Sequence, residues 1–267
     1  MNSPEIIGIL LVKDEDRFIE PVIKNIFEFC DKIIVADNYS RDQTYTIARE
    51  FAEKNSKLKV YQVSHPRESH KLIEHYAGTN TWIFGVDGDE IYDPSGLAEM
   101  KAHLNREEFK NIWCIYGNVL NCTSIDVAEG FAKGYLAPPS RSMTKLYNFS
   151  LLESWTGCPE RLHSGALRFK ISHVEPPRLH LYKTLDWDTS YFRCLHAVFM
   201  QRSSLKRSLA KRGRLNPAEL HSIWSAYDKK SYVKFMLRYL RSWLGPDWKH
   251  KKYRRGPLVQ KHVDSFF

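Results

Sequence analysis

Long apolar runs are missing from this chain. Its longest, such as residues 6–12, are far too short to span a bilayer, and no basic region followed by a long apolar one marks the N-terminus. Neither a membrane span nor a secretory signal is therefore read. The five cysteines, Cys30, Cys114, Cys122, Cys158 and Cys194, are odd in number and scattered, with no Cys-x-x-Cys spacing. Buried free thiols in a reducing cytosol are expected, which leaves the sequons at Asn121 and Asn148 unglycosylated. Glycine-rich phosphate loops are missing too. Neither GxxxxGK nor GxGxxG occurs, and Lys13-Asp14-Glu15-Asp16, after the first apolar run, holds no glycine. That weakens a nucleotidyltransferase reading, which usually wants such a loop.

What is present suffices for a globular protein. With 267 residues and 43% hydrophobic content, the chain can bury a full core. Its net charge of +9 is uneven: residues 202–267 carry 17 Lys or Arg against 4 Asp or Glu, and the first 201 residues are slightly acidic. Such a tail suits a polyanion or anionic lipid. Between residues 229 and 244, Lys230, Lys234, Arg238 and Arg241 form one stripe and Val233, Leu237, Leu240 and Leu244 another, a basic amphipathic helix. With Trp243, Trp248 and the basic residues 249–255, the segment Lys229–Arg255 points to an anionic membrane surface more than to a docked helix with a solvated face. No nucleic-acid-binding motif accompanies the charge, so no nucleic acid is expected.

The first ninety residues alternate strand and helix. Strands are expected at 6–12, 32–36, 58–63 and 81–86, and helices within 18–29, after a capping box at Ser40–Gln43, and over 68–77. This is a doubly wound α/β pattern, the Rossmann-like nucleotide-binding half of a fold. Beyond Pro94 the spacing predicts a helix over 96–104, a strand over 112–120, and a Gly- and Pro-bearing loop over 129–140 that serves as an acceptor-site flap. Strands near 145–149, 166–171 and 178–182 complete a mixed sheet. The remainder reads as helical, with a helix start at Asn216, Pro217 and Glu219. The expected division is a domain over 1–190 and a basic helical extension over 191–267.

The stretch TWIFGVDGDEIYD, Thr81 to Asp93, ends an apolar strand in Asp87, Asp89 and Glu90. Ligands of open α/β sheets sit beyond the carboxyl ends of the strands. Strand alternation turns Asp87 and Asp89 to one side, where two oxygen donors hold a magnesium or manganese ion bound to phosphates. Asp14 and Asp37 end two other strands, and one edge of the sheet collects all these acids. A carboxylate there accepts hydrogen bonds from a base N–H or a ribose hydroxyl.

The segments ILLVKDED (9–16), KIIVADNYSRDQT (32–44) and WIFGVDGDE (82–90), in this order, resemble family-2 glycosyltransferases of the GT-A fold. The resemblance covers about the first ninety-five residues. It implies a nucleotide-sugar donor, UDP by family habit, with Asp37 at the nucleobase, Asp87 and Asp89 as the DxD motif, and Asp89 as the main ligand of Mn2+ or Mg2+. Lys71 stands where the family often has an arginine near the nucleotide. The sequence from Leu179 to Asp186 resembles a His-Tyr-x-x-Lys pattern of some small members, which makes His180 a further metal ligand and sets Lys183 against the diphosphate. Imidazole shifts the expected ion toward manganese.

An inverting transfer also needs a base for the acceptor hydroxyl. Glu160, in the Gly- and Pro-punctuated GCPERLH (157–163), and Asp186, in LDWDT (185–189) beside Asp188, are both candidates. The expected activity is metal-dependent inverting sugar transfer to a glycan or lipid-linked acceptor in cell-surface polysaccharide or glycoconjugate synthesis, in the cytoplasm and peripherally on the inner face of a membrane. The competitors are a sugar-phosphate nucleotidyltransferase and a non-catalytic module binding membrane or polyanion through its tail. A phosphatase with Asp87 as nucleophile fits poorly, since such enzymes place their Asp-x-Asp after the first strand.

Overall fold

Apolar side chains on both faces bury the strand Glu5–Val12 (β1), so Ile6, Ile7, Ile9 and Leu10 are all fully buried. Each contributes roughly 1.5–3 kcal/mol relative to exposure. In this computed structural model, which describes residues 3–138, 145–171, 175–205 and 252–267, β1 lies within a seven-stranded sheet. Its other members are β2 (Lys32–Asp37), β3 (Leu58–Gln62), β4 (Thr81–Asp87), β6 (Cys114–Tyr116), β9 (Lys145–Asn148) and β12 (Arg178–His180), in the order β12-β6-β9-β4-β1-β2-β3. The pairs β4–β1, β1–β2 and β2–β3 are parallel, and β9 runs antiparallel to β4. This is the doubly wound mixed sheet expected from the alternation.

Three helices close the crossovers. Ile19, Val22, Ile23 and Ile26 form the buried stripe of α1 (Ile19–Phe27), as their spacing predicts. The next helix, α2 (Thr44–Lys54), has no side-chain cap at Gln43. Asp42 Oδ1 instead accepts from Thr44 N at 2.9 Å, so the cap expected at Ser40 is corrected by two positions. Over 68–77 only α3 (Glu68–Lys71) and a 3-10 turn at Glu74–Tyr76 form, in place of the single helix expected. After β4 come the strand β5 (Glu90–Tyr92) and the helix α4 (Pro94–Asn105). Asp93 caps α4 by accepting from Ser95 N, with Pro94 in its first turn.

A second, five-stranded sheet begins at β5. It adds β7 (Asn118–Asp126), β8 (Phe131–Ala137), β13 (Arg193–His196) and β14 (Leu258–His262), in the order β14-β8-β7-β13-β5. A two-stranded ribbon, β10 (Leu152–Thr156) with β11 (Ala166–Phe169), completes the described strands.

Three expectations change here. The strand over 112–120 breaks into β6 and β7 at Gly117, where a Cβ would lie 1.9 Å from the Phe192 carbonyl oxygen. The loop over 129–140 is mostly β8, whose apolar residues pair with β7, so the acceptor flap is not a loop through 131–137. A boundary at residue 190 would cut the five-stranded sheet, since β13 and β14 pair with β7, β5 and β8. The helix start at 216–219 and the amphipathic segment lie outside the described residues, except for 252–255. Among the described residues no helix is long and apolar enough to cross a membrane. All five cysteines are buried and none forms a disulfide.

Candidate functional site at the carboxyl edge of the parallel sheet

Register aligns the strand ends. Val12 pairs with Asp37, Leu11 with Asp87 and Asp37 with Gln62, so the loops after β1, β2 and β4 meet at one edge. Asp14 is fully buried there at a positive φ of 50°. Its Oδ1 accepts from Arg41 N at 2.6 Å, its Oδ2 from Arg41 Nη2 at 3.1 Å, and its own N–H donates to Ser40 Oγ at 2.9 Å. The next residue, Glu15, donates its N–H to Thr44 Oγ1 at 2.6 Å. These bonds brace the β1 loop against the β2 loop. Asp37 accepts from Ser40 N at 3.1 Å. Burial raises its pKa, Ser40 works against the shift and the charge of Asp14 adds to it.

Each aspartate of Asp87-Gly88-Asp89 has its own arginine. Asp87 ends β4 and pairs with Arg161, whose Nε also donates to Ile9 O at 3.1 Å and whose Nη2 donates to Val86 O at 2.7 Å. Burial disfavours the charge of Arg161, but Asp87 together with Glu160 and Glu90 outweighs it and the pKa is raised. Asp89 lies in the turn between β4 and β5, where strand alternation no longer sets its direction. Its Oδ2 is 3.0 Å from Arg202 Nη1 and 3.6 Å from His196 Nε2, and the same Nη1 reaches Glu15 Oε1 at 2.8 Å. Attraction to Asp89 is the main cause of a raised Arg202 pKa. A Cβ at Gly88 would lie 2.1 Å from Glu15 Oε2, so any side chain there would displace Glu15. Glu90, beside them, is pushed up to about 8 by burial and by the charge of Asp87.

The loop that carries Arg161 is held from α3. Arg161 N donates to Ser69 Oγ at 3.0 Å, and Leu162 N donates to His70 Nδ1 at 3.2 Å. His70 Nε2 therefore carries the proton and donates to Trp155 O at 2.7 Å. Glu160 precedes Arg161 and acts electrostatically on its guanidinium. On the other side of the edge, residues 202–204 cross the β1 loop. Arg17 N donates to Arg202 O at 3.1 Å, Ser203 Oγ to Asp42 Oδ2 at 2.5 Å, and Ser204 N to Asp16 Oδ1 at 2.7 Å.

The family model for glycosyl transferase family 2 matches residues 9–149, which span β1 through β9 and contain Asp87 and Asp89. The chain belongs to glycosyl transferase family 2. Two relatives match at 25% identity over 115 residues, 43% of this chain: the SPbeta prophage-derived glycosyltransferase SunS of Bacillus subtilis and the glycosyltransferase SunS of Bacillus phage SPbeta. The match spans only 27% of their length. Similar solved structures include a mannosyltransferase from Pyrobaculum calidifontis with GDP-Man and Mn2+, at 17% identity and TM-score 0.38, covering 58% of this chain and 48% of that one. Another is glucosyl-3-phosphoglycerate synthase from Mycobacterium tuberculosis with Mn2+, UDP-glucose and phosphoglyceric acid, at 20% identity and TM-score 0.38, covering 59% and 61%.

In this family 2 chain, the residues read from the sequence divide into two groups. Asp14, Asp37, Asp87, Asp89 and Glu160 gather at the strand-end edge. The others engage elsewhere. His180 stacks on Tyr116 with ring centroids 5.0 Å apart, and its Nδ1 is 2.8 Å from Tyr182 Oη, so the imidazole beside Asp89 is His196 instead. Lys71 and Lys183 are exposed. Asp186 Oδ1 accepts from Asp188 N, Thr189 N and Thr189 Oγ1 at 3.0, 2.9 and 2.9 Å, which lowers its pKa and commits it to its own turn. Asp188 pairs with Lys261 at 2.6 Å.

Among the described residues, no three His, Cys, Asp or Glu side chains converge as a ready metal cage. The pair that would hold an ion is Asp89 Oδ2 and His196 Nε2, 3.6 Å apart, where it would supply positive charge at the end of β4. Two protein donors with phosphates completing the sphere is the usual magnesium pattern, and the nitrogen donor suits manganese. Arg161, Arg202 and His196 were not singled out from the sequence. The only local signal for His196 is its place at the end of a short strand pattern, RCLH.

Proposed function

We propose that the chain transfers a sugar, with inversion, from a nucleoside-diphosphate donor to a hydroxyl acceptor. The carrying observation is the family 2 match over residues 9–149 on a parallel β4-β1-β2-β3 array whose β4 ends in Asp87-Gly88-Asp89. Asp37 accepts from a base N–H, and UDP is the favoured nucleotide. Asp89 and His196 would hold Mn2+ or Mg2+, an oxygen and a nitrogen donor side by side. When bound, the ion supplies charge neutralisation for the departing diphosphate. Arg202, beside Asp89, adds a second positive charge at the same place.

Glu160 is the base, because its loop is the one that reaches the Asp87 edge, whereas Asp186 is spent on its turn. It takes the acceptor hydroxyl proton as that oxygen attacks the anomeric carbon and the nucleoside diphosphate leaves. Asp14 acts by holding Arg41 and the β2 loop rather than by touching the donor. The acceptor is a glycan or a lipid-linked group in surface polysaccharide or glycoconjugate synthesis. The basic segment 229–255 then brings a cytoplasmic enzyme to the inner face of a membrane.

The test is a panel of UDP- and GDP-sugars with Mn2+, read by nucleoside diphosphate release and by thermal stabilisation. Slow donor hydrolysis with one sugar supports the reading and names the donor. Silence across the panel contradicts it and favours a non-catalytic module.

A further inference from the structure

One cross-strand row of the five-stranded sheet runs straight to the acidic turn. Tyr135 of β8 pairs with Asn121 of β7, Asn121 with His196 of β13, and His196 with Glu90 of β5, the residue after Asp89. Asn121 and His196 are buried, at 0% and 2% exposure, so water does not decide their hydrogen bonds.

The row also sets protons. Asn121 Nδ2 donates to the Tyr135 carbonyl at 3.3 Å, which orients the amide and turns Oδ1 toward β13. An amide oxygen only accepts, so His196 Nδ1, 3.0 Å away, is the donor. In the neutral imidazole the lone pair is then on Nε2, the atom 3.6 Å from Asp89 Oδ2. Tyr253, fully buried, packs edge-on against the His196 ring at 5.2 Å between centroids and an interplanar angle of 82°, which restricts the ring plane.

We infer that Asn121 is a positioning residue that selects the Nε2-bare tautomer of His196 and so aims a nitrogen donor at the cation shared with Asp89. A cation held between that lone pair and the Asp89 carboxylate oxygen would satisfy both. Orienting partners of this kind typically contribute 10–100-fold in metal affinity. The inference rests on the metal-dependent reading above, but the tautomer is a property of the apo protein.

Two measurements test it. Long-range 15N–1H correlation spectra of the metal-free protein, near pH 8, read the His196 tautomer directly. The expected spectrum has a protonated Nδ1 and a bare Nε2, and a protonated Nε2 in the wild type overturns the inference. Mn2+ titration, read by the electron paramagnetic resonance of the free ion, gives affinity without turnover. Asn121→Leu is expected to weaken Mn2+ binding about 10–100-fold. Asn121→Asp, which still accepts from Nδ1–H, retains it even if the leucine variant folds poorly. Asn121→Leu binding like wild type, or Asn121→Asp losing the ion in a folded protein, overturns the positioning role. A wild type with the expected tautomer and no Mn2+ binding instead sinks the metal-dependent reading, and with it the claim that the tautomer serves an ion.

Discussion

Arg202 Nη1 lies 3.0 Å from Asp89 Oδ2 and 2.8 Å from Glu15 Oε1, so one guanidinium neutralises two buried acids contributed by the loops after β1 and β4. Its charge stands where the proposed divalent ion also binds. The DxD turn is thus held together by a side chain more than a hundred residues later in the chain, next to a strap sewn down by Ser203 and Ser204.

Removing that charge exposes the conflict between the acids. Arg202→Gln leaves Asp89 and Glu15 buried without their shared cation, at a cost of about 3–5 kcal/mol. The expected outcome is a lowered melting temperature that Mn2+ raises by a larger increment than it gives the wild type. Thermal unfolding with and without Mn2+ measures both. A variant as stable as wild type and indifferent to the ion contradicts the arrangement.

The donor half of this fold was legible because its signals are local. Apolar runs at Ile6, Ile33 and Trp82, the helical spacing of Ile19, Val22, Ile23 and Ile26, and acids at strand ends all follow from short-range periodicity. What depends on pairing was hidden. Residues 131–137 look loop-like because Gly134 and Lys133 interrupt the apolar pattern, and only β7 and β14 make them a strand. His180 drew notice through a motif, while His196 stands beside Asp89 through its register with Asn121 and Glu90, which one sequence does not reveal. Arg161 likewise stands next to Glu160 in the sequence, yet its partners are carbonyls on β1 and β4.

Gly88 has no room for a side chain. A Cβ 2.1 Å from Glu15 Oε2 and 2.9 Å from Val12 Cγ1 must push Glu15 away, and with it the bond to Arg202. Gly88→Ala is expected to destabilise by about 1–3 kcal/mol, the usual range for overpacking. It should also weaken nucleotide binding. Urea unfolding and UDP titration check the two effects, and an unaltered stability refutes the crowding argument.

Arg161 is tied to Asp87 and to carbonyls of β1 and β4 through a planar fork that lysine lacks. Arg161→Lys is therefore expected to lose about 1–3 kcal/mol despite keeping its charge. Arg161→Met should lose more, because Asp87 also loses its ion pair with the guanidinium. The order of the two urea midpoints is the check, and equal midpoints would mean that the hydrogen bonds contribute nothing.

The His70 clasp makes stability depend on pH. Burial is the main cause of its lowered pKa; the bond to Trp155 O and the charge of Glu74 oppose it. The folded state thus binds fewer protons than the unfolded chain, and stability is complete above the unfolded value of about 6.5. It falls as the pH drops from there through the lower folded value, then changes no further on this account. His70→Phe should flatten that part of the profile. It should also cost about 1–3 kcal/mol at pH 7.5, because Leu162 N loses its acceptor. Unfolding free energies between pH 5 and 7.5 decide it, and a slope unchanged in the variant would assign the titration to another group.

The central claim is that Asp89 anchors an ion-bound nucleoside diphosphate at the end of β4. Calorimetric titration of UDP and GDP into wild type and Asp89→Asn, each with Mn2+ and with EDTA, tests it most directly. The account predicts binding of one nucleotide to wild type with Mn2+, weakened at least about tenfold, or 1.4 kcal/mol, by either the substitution or the chelator. Equal affinity in all four conditions, or no binding in any, would contradict it.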